Sequence, residues 1–395
     1  MKIVYADEEM PESFTKSLFL AGPTPRRRKE QESWRQDAIK ILEDIGFDGI
    51  VLIPEPKNVK EDYNYENQVK WEEKYLNVAD CIVFWVPRDL TPDSTGYPLM
   101  GALTTNVEWG AWASSGKVVL GYPDDADKMS YLKYYADKYK VQVGETLTET
   151  LEIALELLGD GAERSGGERF VPLFLWKTDS FQSWYESQKE AGNRLDDARL
   201  LYTFRPGFKD IFLWILKVDI WIESEKRHKN NEFVMARTDI SSVLLWHKAE
   251  PKEESEIILV KEFRPSARTK DGFIHELPGG SSAKDGNPKE TALEEIHEET
   301  GFFFKSNRIK FHEARQLAGT LSSHQSFFYS VELDDEELEW FKSQKGIVHG
   351  VQEVGERTFI EVLTVEELLK NKQIDWATLG MVFAVIYKYQ NEDVE

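Results

Sequence analysis

The sequence predicts an α/β protein with two domains: an open parallel sheet flanked by helices, followed by an α+β fold with a mixed sheet. The chain has 395 residues, which is too long for one ordinary core. Residues 17–160 alternate short apolar runs with helix-length amphipathic segments, an order typical of parallel sheets flanked by helices. After the Gly-rich polar segment 159–167, long β-like runs dominate. We therefore predict domains at residues 1–160 and 168–395.

In the N-terminal domain, short apolar runs predict buried strands, and the amphipathic segments between them predict helices. The predicted strands are residues 17–21, 50–53, 81–86 and 118–120. The predicted helices are about residues 31–45, ended by Gly46, then 68–78 and 106–115. Within the second helix, Trp71 and Tyr75 lie on one stripe, which we interpret as core rather than as a base-stacking surface.

The C-terminal domain combines long β-like runs with few helices. The predicted strands are residues 212–223, 232–246 and 256–263, followed by more strand-like sequence to about residue 362. A clear helix is predicted at 288–300, and a last helix at 376–389. This pattern is typical of an α+β fold.

Composition excludes several classes of protein. Hydrophobic residues make up 41% and charged residues sum to a formal charge of −22, which argues against a general nucleic-acid binder. Small anionic molecules remain allowed, since a bound metal can reverse the local field. The single cysteine, Cys81, lies in an apolar run and predicts a buried structural thiol. The N-terminus has no secretory apolar core, and the most apolar stretch is too short to span a bilayer, so we expect a cytoplasmic protein without a membrane partner.

The strongest functional pattern is an acidic helix between two glycine positions. Glu295, Glu298 and Glu299 are spaced i, i+3 and i+4, so they share one helix face. Three like charges destabilise a helix unless a cation lies among them, and hard carboxylate oxygens suit Mg²⁺ or Mn²⁺. Such a metal would activate water and stabilise charge on a diphosphate. The alternative is a solvated acidic face without a metal.

These residues resemble the Nudix box: Gly, five residues, Glu, seven residues, then Arg-Glu-aliphatic-x-Glu-Glu-x-Gly-apolar. The residues that match in register are Gly280, Glu295, Ile296, Glu298, Glu299, Gly301 and Phe302. Two positions depart, since Gly286 replaces the first Glu and Glu294 replaces the Arg. In the family that Arg helps hold the helix and its acids, so Glu294 must be offset by another cation. The resemblance implies Gly279, Glu295 and Glu299 at the metal and Glu298 as a catalytic residue.

The resemblance extends beyond the box to the ADP-ribose pyrophosphatase branch of the family. It is carried by residues 256–264, by 276–280, by 319–324 and by 374–378. By this likeness Arg264 would contact substrate, and Glu353 or Glu356 would supply a late carboxylate, Glu353 to catalysis and Glu356 to the metal. The alternatives are a surface salt bridge for Arg264 and solvated loop charge for the two glutamates.

The N-terminal domain carries a second group of polar residues. Asp89 follows a predicted strand, at the edge where open α/β sheets bind ligands. Thr105 or Asn106 can cap the next helix, which would place Glu108 in its first turn. A carboxylate presented there could attack an anomeric carbon, as in retaining glycosidases. The alternative is an ordinary exposed glutamate at a helix start.

This domain resembles the nucleoside 2-deoxyribosyltransferase-like family, which has a flavodoxin-like sheet. The shared features are Leu20-Ala21-Gly22-Pro23, Ala79-Asp80 before an apolar strand, and the helix start Asn106-x-Glu108-x-Gly110. The resemblance implies that Glu108 is the nucleophile. Substrate would then be held by the following residues: Gly22, Asp80, Asp89, Thr105 and Asn106. The triple Arg26–Arg28 could meet phosphate, although such runs are usually solvated.

Together these patterns predict a two-domain enzyme of nucleotide metabolism with a small-molecule nucleotide substrate. The C-terminal half would cleave the diphosphate of an ADP-ribose-like compound with Mg²⁺, and the N-terminal half would act at the N-glycosidic bond. One alternative is that only the Nudix half is catalytic and the N-terminal half senses nucleotide. Another is a non-enzymatic nucleotide-binding regulator. Because both families oligomerise, we expect a homo-oligomer.

Overall fold

The computed structural model describes residues 1–25, 33–57, 65–205, 211–281, 287–351 and 355–387. They fall into two compact units, Met1–Val234 and Met235–Glu395. None of the described helices is long and apolar enough to cross a membrane.

The first unit contains a parallel sheet with helices and a smaller antiparallel sheet. Its strands are β1 (Lys2–Ala6), β2 (Ser13–Phe14), β3 (Ser17–Ala21), β4 (Ile50–Pro56), β5 (Cys81–Trp85), β6 (Asp89–Pro92), β7 (Pro98–Met100), β8 (Val118–Gly121), β9 (Val143–Gly144), β10 (Arg164–Ser165), β11 (Arg194–Phe204), β12 (Leu213–Ile222) and β13 (Arg227–Arg237), whose last residues, from Met235 on, belong to the second unit. Its helices are α1 (Trp34–Ile45), α2 (Tyr65–Val78), α3 (Leu103–Trp112), α4 (Ser130–Lys138), α5 (Leu147–Leu158), α6 (Leu173–Trp176) and α7 (Asp179–Glu190), with a 3₁₀ turn at Gly166–Phe170.

The main sheet has the order β1-β4-β3-β5-β8-β9, and each neighbouring pair is parallel. Successive residues of β3 alternate between two cores: Phe19 packs with Trp71 and Tyr75 on one face, while Leu18 and Leu20 pack on the other. Both faces are buried because crossover helices cover them, which explains why the strands are continuously apolar. The predicted parallel sheet flanked by helices is confirmed, and the Trp71/Tyr75 stripe lies in the core.

The segment predicted as a domain linker is packed into the first unit. Arg164, in β10, is fully buried and forms an ion pair with Asp80 at 2.6 Å. The unit then continues through α6, α7 and the sheet β11-β12-β13. The units divide between Val234 and Met235, and not at 160–168. The Gly-rich polar segment is not a linker between them, because the buried Arg164 anchors it to Asp80.

The second unit is built on a mixed sheet. Its strands are β14 (Ile240–His247), β15 (Glu256–Phe263), β16 (Phe273–Glu276), β17 (Gly279–Gly280), β18 (Lys310–Gln316), β19 (Gln325–Glu332), β20 (Val348–His349) and β21 (Thr358–Thr364). Its helices are α8 (Pro288–Thr300), α9 (Asp335–Ser343), α10 (Val365–Lys370) and α11 (Trp376–Tyr387), with a 3₁₀ turn at Lys252–Glu254.

The order β18-β19-β14-β15-β21-β20 combines a parallel β14–β19 pair with antiparallel neighbours. Val243 and Leu245 of β14 face a core that includes α8, whereas Leu244 and Trp246 face a core that includes α11. The predicted mixed sheet is confirmed. The predicted run 232–246 is two strands, β13 and β14, separated at residues 238–239.

Candidate functional site

Helix α8 directs two glutamates toward the sheet of the second unit. It begins after Asn287, whose side chain accepts a hydrogen bond from the Lys289 N–H, and it ends at Gly301, as predicted. Ala292 and Ile296 are buried in the core between α8 and the sheet. Glu299 is only 2% exposed, so a solvated acidic face does not describe this side of the helix.

The strand β17 approaches these carboxylates closely. Gly279 donates its N–H to Glu299 Oε2 at 2.8 Å. A Cβ placed on Gly280 would lie 2.3 Å from Glu295 Oε1, so any larger residue there would displace that carboxylate. Gly279 and Gly280 therefore allow the main chain of β17 to contact the carboxylates of Glu299 and Glu295.

Three carboxylates from different elements converge at this place. Glu262 of β15, Glu299 of α8 and Glu356 before β21 each offer an oxygen, and these oxygens lie within 4.8 Å of one another. Burial raises the pKa of Glu299 well above its usual value, and repulsion by Glu295, Glu356 and Glu262 raises it further. Burial also raises the pKa of Glu295 to about 7, and repulsion by Glu298 and Glu356 acts in the same direction. Clustered oxygen donors of this kind suit a hard divalent cation.

Two more of the predicted residues, Glu298 and Arg264, lie beside this cluster. Glu298 is exposed, and its main-chain carbonyl accepts a hydrogen bond from Gly350 N at 2.9 Å. Arg264 forms ion pairs of 2.8 Å with both Glu262 and Glu276, so the salt-bridge interpretation describes it and places it beside the carboxylates. Glu353 and Gly286 lie outside the described residues.

Sequence reasoning missed Glu262 as a member of the cluster. The usable signal was a glutamate near the end of an otherwise apolar strand, next to Arg264. Its partners Glu299 and Glu356 are distant in sequence, so only the fold brings the three together.

In the first unit, a second polar centre lies where the parallel strands end. Gly22 follows β3 with φ +147°, and a Cβ there would lie 2.1 Å from the Trp85 carbonyl oxygen. Arg35 of α1 is 1% exposed and donates to the carbonyl of Gly22 at 2.8 Å and to Glu55 at 2.5 Å. Gly22 thus allows tight main-chain contact at the edge where such sheets bind ligands.

Glu108 of α3 belongs to this centre. Burial raises its pKa to about 7, repulsion by Glu72 acts in the same direction, and the charge of Arg35 opposes both. Burial likewise raises the pKa of Glu72, which accepts a hydrogen bond from Gln68 Nε2 at 2.6 Å. The structure therefore brings Glu108 into an electrostatic group with Arg35 and Glu72, neither of which sequence reasoning selected.

The predicted cap of α3 is wrong. The helix begins at Leu103, after Ala102 in a left-handed conformation with φ 54°, so Thr105 and Asn106 are interior residues and Glu108 lies in the second turn. The helix dipole therefore contributes little to Glu108, because its effect fades within the first turn. Thr105 is buried, and its hydroxyl has no hydrogen-bond partner among the described residues. Asn106 is exposed and accepts from Arg88 Nη2 at 2.5 Å.

The two predicted aspartates lie in different environments. Asp80 precedes β5, at the opposite edge of the sheet from Gly22 and Glu55. Its carboxylate is buried and accepts from the Ser17 and Leu173 N–H groups and from Arg164. It is not available to a substrate, because main-chain N–H groups and the Arg164 guanidinium already bind its two oxygens. Asp89 lies just after β5 and accepts from the Thr91 N–H at 2.8 Å.

Residues 15–126 match the family described as nucleoside 2-deoxyribosyltransferase like. The match includes Gly22, Glu108 and the strands between them. A second similarity is to an ADP-ribose pyrophosphatase of Bacillus subtilis (strain 168), 33% identical over 122 residues. That alignment covers 30% of this chain and 56% of the relative, so the chain spans about half of that protein's length. Both similarities are to proteins of nucleotide metabolism.

Proposed function

We propose that the second unit hydrolyses the diphosphate of a nucleoside diphosphate derivative with Mg²⁺ or Mn²⁺, and that ADP-ribose is the first substrate to test. The observation that carries this proposal is the convergence of Glu262, Glu299 and Glu356 within 4.8 Å. Similarity to a protein named ADP-ribose pyrophosphatase supports the choice of substrate.

The donor set fits a divalent cation, since the buried Glu299, whose pKa burial and neighbouring acids raise, is costly to ionise without one. Glu262, Glu299 and Glu356 would hold the ion, with Glu295 beside them. When bound, the ion would supply positive charge to phosphate oxygens and lower the pKa of water. The Gly279 N–H fixes one oxygen of Glu299, and the exposed Glu298 is free to accept a proton from the attacking water.

We further propose that Glu108 of the first unit attacks the anomeric carbon of a nucleoside or nucleotide. A bond forms between its carboxylate oxygen and that carbon while the bond to the base nitrogen breaks. The departing base nitrogen takes up a proton from solvent water as it leaves. Water, or a second base, then releases the sugar from Glu108. The match of residues 15–126 supports this assignment.

Two rival functions remain testable. Gly286 and Glu294, which depart from the Nudix box, favour a regulator that binds nucleotide without turnover. The short stretch matched in the first unit also allows a nucleotide sensor attached to a hydrolase.

The deciding experiment is chromatography of ADP-ribose and a panel of nucleotides and deoxynucleotides after incubation with purified protein and Mg²⁺. We expect nucleoside monophosphate from the native protein and from Glu290→Gln, an exposed control on α8, but not from Glu299→Gln. We expect free base from the native protein and Glu73→Gln, an exposed control on α2, but not from Glu108→Gln. Monophosphate without base favours the sensor, and tight binding without any product favours the regulator.

A further inference from the structure

The acidic site of the second unit lacks the arginine that the Nudix pattern places on the helix. Glu294 occupies that position, is exposed, and repels Glu295. Repulsion from Glu298 and Glu356 acts on Glu295 as well. A cation from elsewhere in the fold is needed to hold this carboxylate in place against the repulsion.

Arg237, the last residue of β13, belongs to the second unit and interacts electrostatically with Glu295. Its Nη2 donates to Ser281 Oγ at 2.7 Å. Ser281 follows Gly280, where an added Cβ would lie 2.3 Å from Glu295 Oε1. The residue that binds the guanidinium is therefore the chain neighbour of the residue that lies against the Glu295 carboxylate.

The charges agree with this geometry. Attraction between Arg237 and Glu295 lowers the pKa of Glu295 against the repulsion of the other acids, and it opposes the effect of burial on the pKa of Arg237. The second arginine of the region, Arg264, is paired with Glu262 and Glu276. The two arginines thus act on different carboxylates.

We propose that Arg237 is the positioning residue of Glu295 and replaces, from a neighbouring strand, the arginine that Glu294 displaces on α8. It acts through Glu295 and not on the substrate. The proposal rests on the proposed diphosphate hydrolysis for its rate effects, whereas the interaction between Arg237 and Glu295 is testable without turnover.

The first test is a double-mutant cycle on the metal-free full chain, read by thermal unfolding. Arg237→Met should lower the midpoint by roughly 4–8 °C in the native background, as a loss of about 2 kcal/mol would. It should lower the midpoint by less than half as much in the Glu295→Gln background. Arg227→Met, on the exposed start of the same strand, should change the midpoint equally in the native and Glu295→Gln backgrounds. Equal drops for Arg237→Met in the two backgrounds overturn the proposal.

The second test is rescue. Arg237→Met should reduce kcat by about 10–100-fold with a smaller change in KM, as is common for groups that orient metal ligands. Adding Glu294→Arg should restore at least about a tenth of the native rate, because it returns the cation to the helix. Loss of rate without any rescue by Glu294→Arg overturns the proposal that Arg237 replaces the arginine of the helix. If the native protein shows no hydrolysis while the cycle shows coupling, the proposed function has failed and the Arg237–Glu295 pairing stands.

Discussion

The two units each hold an acidic centre, but they balance its charge differently. In the first unit, Glu108 and Glu72 lie beside Arg35, a buried arginine already fixed by Glu55 and main-chain carbonyls. The charge of Arg35 opposes the rise in the pKa of Glu108 that burial and Glu72 cause.

In the second unit, carboxylates outnumber the cations around them. Glu262, Glu299 and Glu356 meet within 4.8 Å, while Arg264 pairs with Glu262 and Arg237 interacts with Glu295. Clustered oxygen donors of this kind suit a divalent cation. The close convergence of three carboxylates therefore distinguishes the proposed metal site from the proposed nucleophile site.

The buried Asp80 is fully paired with Arg164. Breaking this ion pair should have the largest effect on the free energy of unfolding. Arg164→Met leaves a buried carboxylate without its cation, which typically lowers the free energy of unfolding by about 3–5 kcal/mol. Chemical denaturation at neutral pH measures the loss. Lys70→Met, which removes an exposed i,i+4 pair with Glu66, should cost less than about 0.5 kcal/mol. Similar losses for both variants would show that burial does not set the value of the Asp80 pair.

Adding Mg²⁺ should stabilise the second unit by a smaller amount. A ligand that binds only the folded state contributes about 2.7 kcal/mol at 100 times its dissociation constant. Thermal unfolding with Mg²⁺ or with EDTA detects this gain. In Glu299→Gln the gain should largely disappear, whereas in Glu108→Gln it should persist. A gain of equal size in Glu299→Gln would contradict the assignment of the cluster.

Local chemistry explains what the sequence could predict. The helix at residues 288–300 has the predicted bounds because Asn287 and Gly301 cap it within the segment itself. The parallel and mixed sheets follow from the order of apolar runs, which does not depend on distant partners.

Long-range contacts explain what the sequence could not predict. Only the fold brings Glu262 to the acidic cluster and Arg35 close to Glu108. Asp80 is taken by Arg164, which is 84 positions away in the chain. The start of α3 was misplaced because Ala102 adopts a left-handed conformation that its residue type does not favour.

The raised pKa of Glu108 can be tested through the pH dependence of the free energy of unfolding. Its folded pKa of about 7 exceeds the ordinary 4.5, so the folded state holds more protons between these values. Stability from this group is therefore present below pH 4.5 and is lost as pH rises through 7. A pKa that differs by one between the folded and unfolded states corresponds to about 1.36 kcal/mol, and partial exposure of Glu108 reduces the total to about 1–2 kcal/mol.

Glu108→Gln, which is neutral at every pH, should accordingly be more stable than the native protein at pH 8 and nearly equal to it at pH 4.5. Urea unfolding at the two values measures the difference. Base release by the native protein should increase as pH rises through about 7, since the attacking group is the carboxylate. A pH-independent stability difference would remove the electrostatic basis for Glu108 as a poised nucleophile.

The smallest expected effect concerns Glu294, an exposed glutamate on α8 beside the second acidic centre. Glu294 and Glu298 are spaced i,i+4 on α8, and like charges at this spacing destabilise a helix by about 0.2–0.5 kcal/mol. Glu294→Gln should therefore stabilise the metal-free protein by about that amount. The gain should shrink when Mg²⁺ is bound, because the ion then neutralises the same field. Replicate urea titrations with and without Mg²⁺ can resolve the difference, and a gain that is larger with Mg²⁺ would mean that the bound ion does not act on this face of the helix.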